Sequence, residues 1–287
     1  MSPAALPAGA DGETWDLGAQ ALLFGRYRDE AAWPLALNEV TEVQLGHRSV
    51  RAYLPDPLPA GVLETAVAAA QSAPSSSNLQ IWSVVAVQDP ARKQRLAALA
   101  GNQKHIVEAP LFLVWLIDFD RLTQLSQADG VACEALDYTE TFLLGAVDTS
   151  LAAQNAVTAL ESLGLGTVYT GGIRNKPAEV AAELGLPPRV FPLYGLAVGW
   201  PDPHRPAAVK PRLPQASVLF HEQYAWTDAQ RDAAEAYNPR IRAFQREQGM
   251  AEKDWTVQAR ERTRGPSSMA GRHVLRQVLN DLGFELR

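Results

Sequence analysis

The chain has 287 residues, 47% of them hydrophobic and 20% charged, and a formal net charge of -6. That is the composition of an ordinary globular protein, and its acidic balance offers no general attraction to a phosphate polymer, which excludes nucleic acid as an expected partner. A single cysteine, Cys133, excludes an intrachain disulfide and fits a reducing, cytoplasmic setting.

The N-terminal run MSPAALPAGADGE has neither the basic region nor the apolar run of a secretory signal. It reads as a mobile Pro/Gly-rich segment. Trp15, Leu22, Leu23, Phe24 and Trp33 then suggest a stretch that packs on the body of the protein. LPAGVLETAVAAAQSAP places Val62, Leu63, Ala66, Val67 and Ala70 on one helical face, with Pro59 in the first turn and Pro74 beyond the end. WSVVAVQD is a β-branched run of strand character, and PARKQRLAALAG a helix closed by Gly101. LFLVWLID is continuously apolar, as suits a strand buried on both faces.

The longest helical pattern spans residues 134–163. It is apolar on more than one side, so it needs cover all round, from its own subunit or from a second one. Asp148, Gln154 and Asn155 inside this run argue against a membrane span. GTVYTGG follows as a short strand entering a glycine turn, PAEVAAELGLP as a short helix and FPLYGLAVGW as another strand. PDPHRPAAVKPRLP is extended and Pro-rich, Thr227 and Gln230 have capping-box spacing before a polar helix, and RHVLRQVLNDLG is the last helix. Helices and strands alternate irregularly, with no internal repeat and no linker, which predicts an α+β fold.

The familiar hydrolase and metal signatures are missing: there is no GxSxG, HExxH or CxxC, and the five histidines are scattered. GLGLGTVYTGG follows a helix rather than a strand, which does not fit a dinucleotide-binding glycine fingerprint. Four other segments carry chemistry. Gly46-His47-Arg48-Ser49-Val50-Arg51 offers two guanidinium groups and a hydroxyl, a set that matches phosphate oxygens. Ser75-Ser76-Ser77-Asn78 offers short donors and acceptors for a polar heterocycle. Tyr169-Thr170-Gly171-Gly172-Ile173-Arg174 lets a ligand approach the backbone beside a cation. Lys210-Pro211-Arg212 fixes two cations on a stiff backbone. Alone, each has a plainer explanation: a solvated charge pair, a serine-rich loop, a surface turn, a linker.

In this order and spacing, the four segments resemble the nitroreductase family, more narrowly its oxygen-insensitive NADPH nitroreductase and NADPH-flavin oxidoreductase group. GHRSVRAYLPDPL, APSSSNLQIWSVVAVQD, GNQKHIVEAPLFLVWLIDFDR, GAVDTSLAAQNAVTALESLGLGTVYTGGIRN, FPLYGLAVGWP and KPRLP carry the resemblance. It runs from about residue 38 to the end, so residues 1–36 are expected to be an extension and 37–287 the FMN-binding domain. The resemblance implies a three-layer α+β fold with a mixed, mainly antiparallel sheet, in an intertwined homodimer holding two FMN at its interface. His47, Arg48, Ser49 and Arg51 are then expected at the FMN, with the arginines near its phosphate. Ser75, Ser76 and Ser77 approach it from the other subunit, and Gln103 lies at the flavin. Tyr169, Thr170, Gly171 and Gly172 run along the ring, and Lys210 and Arg212 complete the cation set. Arg174 faces the open side, where coenzyme and acceptor alternate.

The implied activity is two-electron, ping-pong reduction of nitroaromatics, quinones or free flavin by NADPH or NADH, with the flavin rather than a side chain carrying the chemistry. A dehalogenase-like or flavin-fragmentation reaction on the same scaffold, or a non-enzymatic flavin-binding protein, are the alternatives. One departure concerns the coenzyme. The loop before Trp255, Arg246-Glu247-Gln248-Gly249-Met250-Ala251-Glu252-Lys253-Asp254, has only Arg246 and Lys253 to meet a 2′-phosphate, with three acids beside them. Weakened NADPH selectivity is therefore expected.

Overall fold

The computed structural model describes residues 14–29 and 37–287. The expectations for residues 1–13, and for the side chains of Trp15 and Trp33, lie outside the described part. Four apolar runs pair into one sheet: β1 (Trp82–Val87), β2 (Leu111–Asp118), β3 (Gly166–Thr170) and β4 (Val190–Gly199), in the spatial order β1-β2-β4-β3. Every strand pair in it is antiparallel. The parallel component expected of the sheet is reduced to one isolated bridge, Ser49 to Thr167. β2 has a neighbour on each side and is buried from Leu111 to Ile117, as its uninterrupted apolar sequence requires.

The helices are α1 (Thr14–Tyr27), α2 (Glu39–Leu45), α3 (Val62–Gln71), α4 (Pro90–Leu99), α5 (Lys104–Glu108), α6 (Asp120–Ala128), α7 (Thr139–Ser162), α8 (Pro177–Leu184), α9 (Asp228–Glu235), α10 (Tyr237–Glu247), α11 (Trp255–Arg262) and α12 (Leu275–Asp281). Contacts divide the chain into two units, one formed by residues up to His47 with Ala208–Arg260, the other by Arg48–Ala207 with Glu261–Arg287.

The second unit holds the sheet, with helices on both of its faces. Leu111, Leu113, Trp115, Leu196 and Val198 pack against α3 and α7 through Val62, Ala66, Ala152, Ala156 and Leu160. Phe112, Val114, Leu116 and Ala197 point the other way, onto Leu96, Ala97, Ile106 and Val180 of α4, α5 and α8. This is the expected three-layer arrangement, and it follows from the alternation of side chains along each strand. Gly145 brings α7 close to the sheet: a Cβ there would lie 2.6 Å from Ile117 Cγ2. A third cluster gathers Phe119, Phe191, Leu279 and Phe284, so the C-terminal segment closes one end of the core.

Two boundaries differ from the sequence reading. Pro59 precedes α3 rather than opening it. Gly61 takes a left-handed conformation, φ +89°, and the helix starts only at Val62. The long helix begins at Thr139 rather than at residue 134. Glu134–Asp137 form a 3-10 turn and Tyr138 is extended. Asp137 pairs with Arg189, and its carbonyl accepts the Arg287 N–H at 2.9 Å, which draws this residue out of the helical ladder. α7 buries Thr149, Ala152 and Ala156 toward the sheet, and Asp148 against the loop after α3. On its other side Leu143, Val147 and Leu151 are exposed, four residues apart along one stripe. No helix among the described residues is long and apolar enough to cross a membrane.

The first unit packs around Tyr237, Ile241 and Phe244 of α10, with Leu213 and Trp255 against them. The capping box at Thr227 and Gln230 opens α9 as its spacing predicts. Arg28 bonds both oxygens of Glu247, at 2.7 and 2.8 Å, and Arg240 bonds Asp29 at 2.6 Å, so the end of α1 is tied to α10.

Phe191 is fully buried and touches the rings of Phe142 and Phe284, with centroids 6.1 and 6.3 Å away. Phe191→Ala is expected to lower the free energy of unfolding by about 3–5 kcal/mol, measured as a shift of the urea midpoint.

Candidate functional site

Two of the four motif segments meet along β3, and the segment after Gln103 joins them at the end of that strand. The Val50 N–H donates to the Thr167 carbonyl at 2.9 Å, which lays the Arg48–Arg51 segment alongside the strand. Thr170 and His105 share a 2.8 Å hydrogen bond, which joins the segment after Gln103 to the glycine turn. Gly172 completes the junction. A Cβ there would stand 2.3 Å from the Ala100 carbonyl oxygen, so the turn passes Ala100 at a distance only glycine allows.

Arg48 and Arg51 are both exposed. Arg48 has no hydrogen bond or ion pair among the described residues, and Arg51 makes only a 3.5 Å approach to the Ser49 carbonyl. Two guanidinium groups without a carboxylate partner leave their donors for an outside anion. At the turn itself, Arg174 Nη1 donates to the Leu193 carbonyl while Nη2 lies 3.4 Å from where a Gly171 Cβ would be. Arg272 Nη1 is 3.8 Å from the same point, and its Nε donates to Asn175 Oδ1 at 2.9 Å. Two guanidinium groups therefore flank Gly171. Burial, then the other arginine, pushes the Arg174 pKa down from its ordinary value. Tyr169 lies at this edge of the sheet, its ring 5.1 Å from that of Tyr194 and perpendicular to it.

The serine segment has other partners. Ser75 Oγ donates to Asp148 Oδ2 at 2.6 Å, the Ser76 N–H to Asp148 Oδ1 at 3.2 Å, and the Gln80 N–H to Ser75 Oγ at 2.8 Å. Among the described residues its hydrogen bonds go to α7 and not to the other motif segments. Ser77, Asn78 and Gln80 have φ of +49°, +53° and +51°. Side-chain-bearing residues seldom hold this conformation, and such strain gathers at ligand sites where the surroundings enforce it. Asp148, only 2% exposed, anchors the start of this loop through Ser75 and Ser76.

Lys210 and Arg212 belong to the first unit. Lys210 Nζ stands over the Phe244 ring, 5.9 Å from its centroid, and the Tyr237 hydroxyl donates to the Pro211 carbonyl at 2.7 Å. The 246–254 loop is folded on itself. Arg246 is bonded by both oxygens of Glu252, each at 2.9 Å, Arg242 pairs with Asp254, and the Lys253 N–H donates to buried Gln245.

The sequence of the whole region matches known families. Residues 45–200 fit the model of the nitroreductase family, and residues 210–287 that of its C-terminal domain. The chain belongs to the nitroreductase family. It is 39% identical to an FMN reductase (NADPH) of Bacillus subtilis, over 77% of this chain and 90% of that one. It is 42% identical to an oxygen-insensitive NADPH nitroreductase of Salmonella typhimurium, over 66% and 75%. The solved NADPH:FMN oxidoreductase of Vibrio harveyi, complexed with NAD+, superposes with a TM-score of 0.77 at 35% identity, over 87% of this chain and all of that one. The expected family and its α+β fold are thus borne out.

Sequence reading missed three residues that the structure places in this candidate site or against its segments. Asp148 gave a usable signal, a carboxylate in the middle of an apolar helix. Arg272 and His105 gave none, because their positions are set by Asn175 and Thr170, far away in sequence.

His105 is buried, and burial, aided by the Arg51 charge and opposed by Glu108, pushes its pKa below the ordinary histidine value. The unfolded chain then binds this proton more readily than the folded one. Stability is at its full value above pH about 6.5 and is lost as the pH falls below it toward the folded pKa. His105→Gln is expected to flatten that slope when urea midpoints are compared above and below this pH.

Proposed function

We propose that this nitroreductase-family chain is an FMN-dependent oxidoreductase that uses NADPH or NADH to reduce small acceptors such as nitroaromatics, quinones or free flavin. The observation that carries the reading is the pair Arg48 and Arg51, exposed and without carboxylate partners, beside the Tyr169–Arg174 turn. This donor set fits FMN: cations for a phosphate, and next to them hydroxyls, a glycine turn and an aromatic edge for a planar heterocycle. The names of the relatives support the same chemistry.

FMN, when bound, supplies two-electron transfer between the coenzyme and the acceptor. The protein's own part is placement and electrostatics. Arg48 and Arg51 hold the phosphate, with His47, Ser49 and Gln103 beside the cofactor. Lys210 and Arg212 are carried into the cation set by the family motif. The backbone at Tyr169, Thr170, Gly171 and Gly172 runs along the ring, and Arg174 with Arg272 supplies fixed positive charge where a reduced cofactor or an anionic substrate gathers negative charge. Arg246 and Lys253 face the coenzyme. Because Arg246 is held by Glu252, the loop offers a 2′-phosphate little positive charge, and selectivity for NADPH over NADH is expected to stay below about 100-fold in kcat/KM.

The test begins with the visible spectrum of the purified protein. A yellow protein that oxidises NADPH when menadione or a nitroaromatic is added is the expected result. A colourless protein that takes up no FMN overturns the reading, and a yellow protein without turnover makes it a flavin carrier. Arg48→Ala is expected to weaken FMN retention while leaving the melting temperature of the FMN-free protein unchanged, since it removes a charge-assisted contact worth about 1.5–3 kcal/mol.

A homodimer within the cytoplasm completes the proposal. The exposed Leu143, Val147 and Leu151 stripe on α7 fits a second copy of the same helix, and Ser75, Ser76 and Ser77 then serve the partner's flavin. Val147→Glu buries a charge in that contact and is expected to shift the protein to a monomer in sedimentation velocity runs. An unchanged dimer overturns the placement of the interface.

A further inference from the structure

Arg26 lies upstream of the region that matches the nitroreductase family model, which starts at residue 45. Yet it is among the most buried charged residues of the chain, 7% exposed, and it comes from α1. Its guanidinium donates to the carbonyls of Leu45 at 2.7 Å and His47 at 2.9 Å through Nη2, and to that of Lys210 at 3.0 Å through Nη1. The Arg26 carbonyl in turn accepts the Arg212 N–H at 2.8 Å. One residue therefore ties down two segments, the turn that ends at His47 and the extended Lys210–Arg212 segment. Leu45 is the last residue of α2, where helix carbonyls lack partners and a cation is favoured.

We infer that Arg26 is a positioning residue for the phosphate-gripping cations, and that the N-terminal helix is a working part of the cofactor site rather than an appendage. This rests on the FMN reading above. Arg26 touches no cofactor itself. It sets the backbone from which His47, Lys210 and Arg212 project, and its fork of donors, which lysine lacks, spans three acceptors on two segments.

The test uses FMN and riboflavin, which differ only by the phosphate. Full-length protein is equilibrated by dialysis against each flavin, and the dissociation constants are compared. Wild type is expected to prefer FMN strongly. Arg26→Gln is expected to lower that preference by at least about tenfold while leaving the riboflavin constant within about twofold. Arg28→Ala, which cuts an ion pair of the extension but leaves the three carbonyl contacts, keeps the wild-type preference. A wild-type preference that survives in Arg26→Gln overturns the inference alone, and so does a parallel loss of both flavins, which is a purely structural effect. A wild type without any preference for FMN overturns the phosphate reading and the role of Arg26 together. If Arg26→Gln does not fold, Arg26→Lys decides: it keeps the charge but cannot reach all three carbonyls, so an undiminished preference overturns the inference.

Discussion

Burial of β2 on both faces is the constraint from which the rest of the structure follows. A strand whose residues are apolar without alternation cannot leave either side to water, so each face must acquire a helical layer. α3 and α7 cover one face, and α4, α5 and α8 the other. The Arg48–Arg51 segment lies alongside β3, and the segment holding His105 meets the Tyr169–Arg174 turn where that strand ends. The candidate site is thus built on the edge of a sheet whose central strand is covered on both faces.

Electrostatics then separates the cations by task. Arg189 and Arg205 are consumed by structural pairs with Asp137 and Asp202, and Arg246 by Glu252. Arg48 and Arg51 are left without carboxylates, and Arg174 and Arg272 stand together beside Gly171. An acidic protein that keeps such groups unneutralised in one place holds a local field opposite in sign to its net charge. That is the economical way to bind a phosphorylated cofactor without attracting polyanions.

Elements set by local patterning were legible in the sequence. The β2 run, the α9 capping box and the apolar α3 face all follow from the period of the side chains and from short-range capping. The start of α7 was not, because Asp137 is diverted by Arg189 and Arg287, which lie far along the chain. The motif segments of the site were legible as a resemblance, whereas their supports were hidden. Arg26 could not be seen, since its acceptors are backbone carbonyls, which every residue has and no sequence pattern marks. Asp148 was visible as a polar residue, but its task was not, because Ser75 and Ser76 lie more than seventy residues earlier.

Val147 and Asp148 are consecutive residues of α7, about 100° apart around it: one is exposed, the other is buried against the strained serine loop. An α-helix packed along its length is a stiff rod, so these two sides cannot move independently. Anything that seats against the outer stripe by rolling or sliding the helix also resets the clamp on Ser75. The same linkage works in reverse: whatever coupling free energy passes from the outer stripe to the serine loop passes back in equal amount.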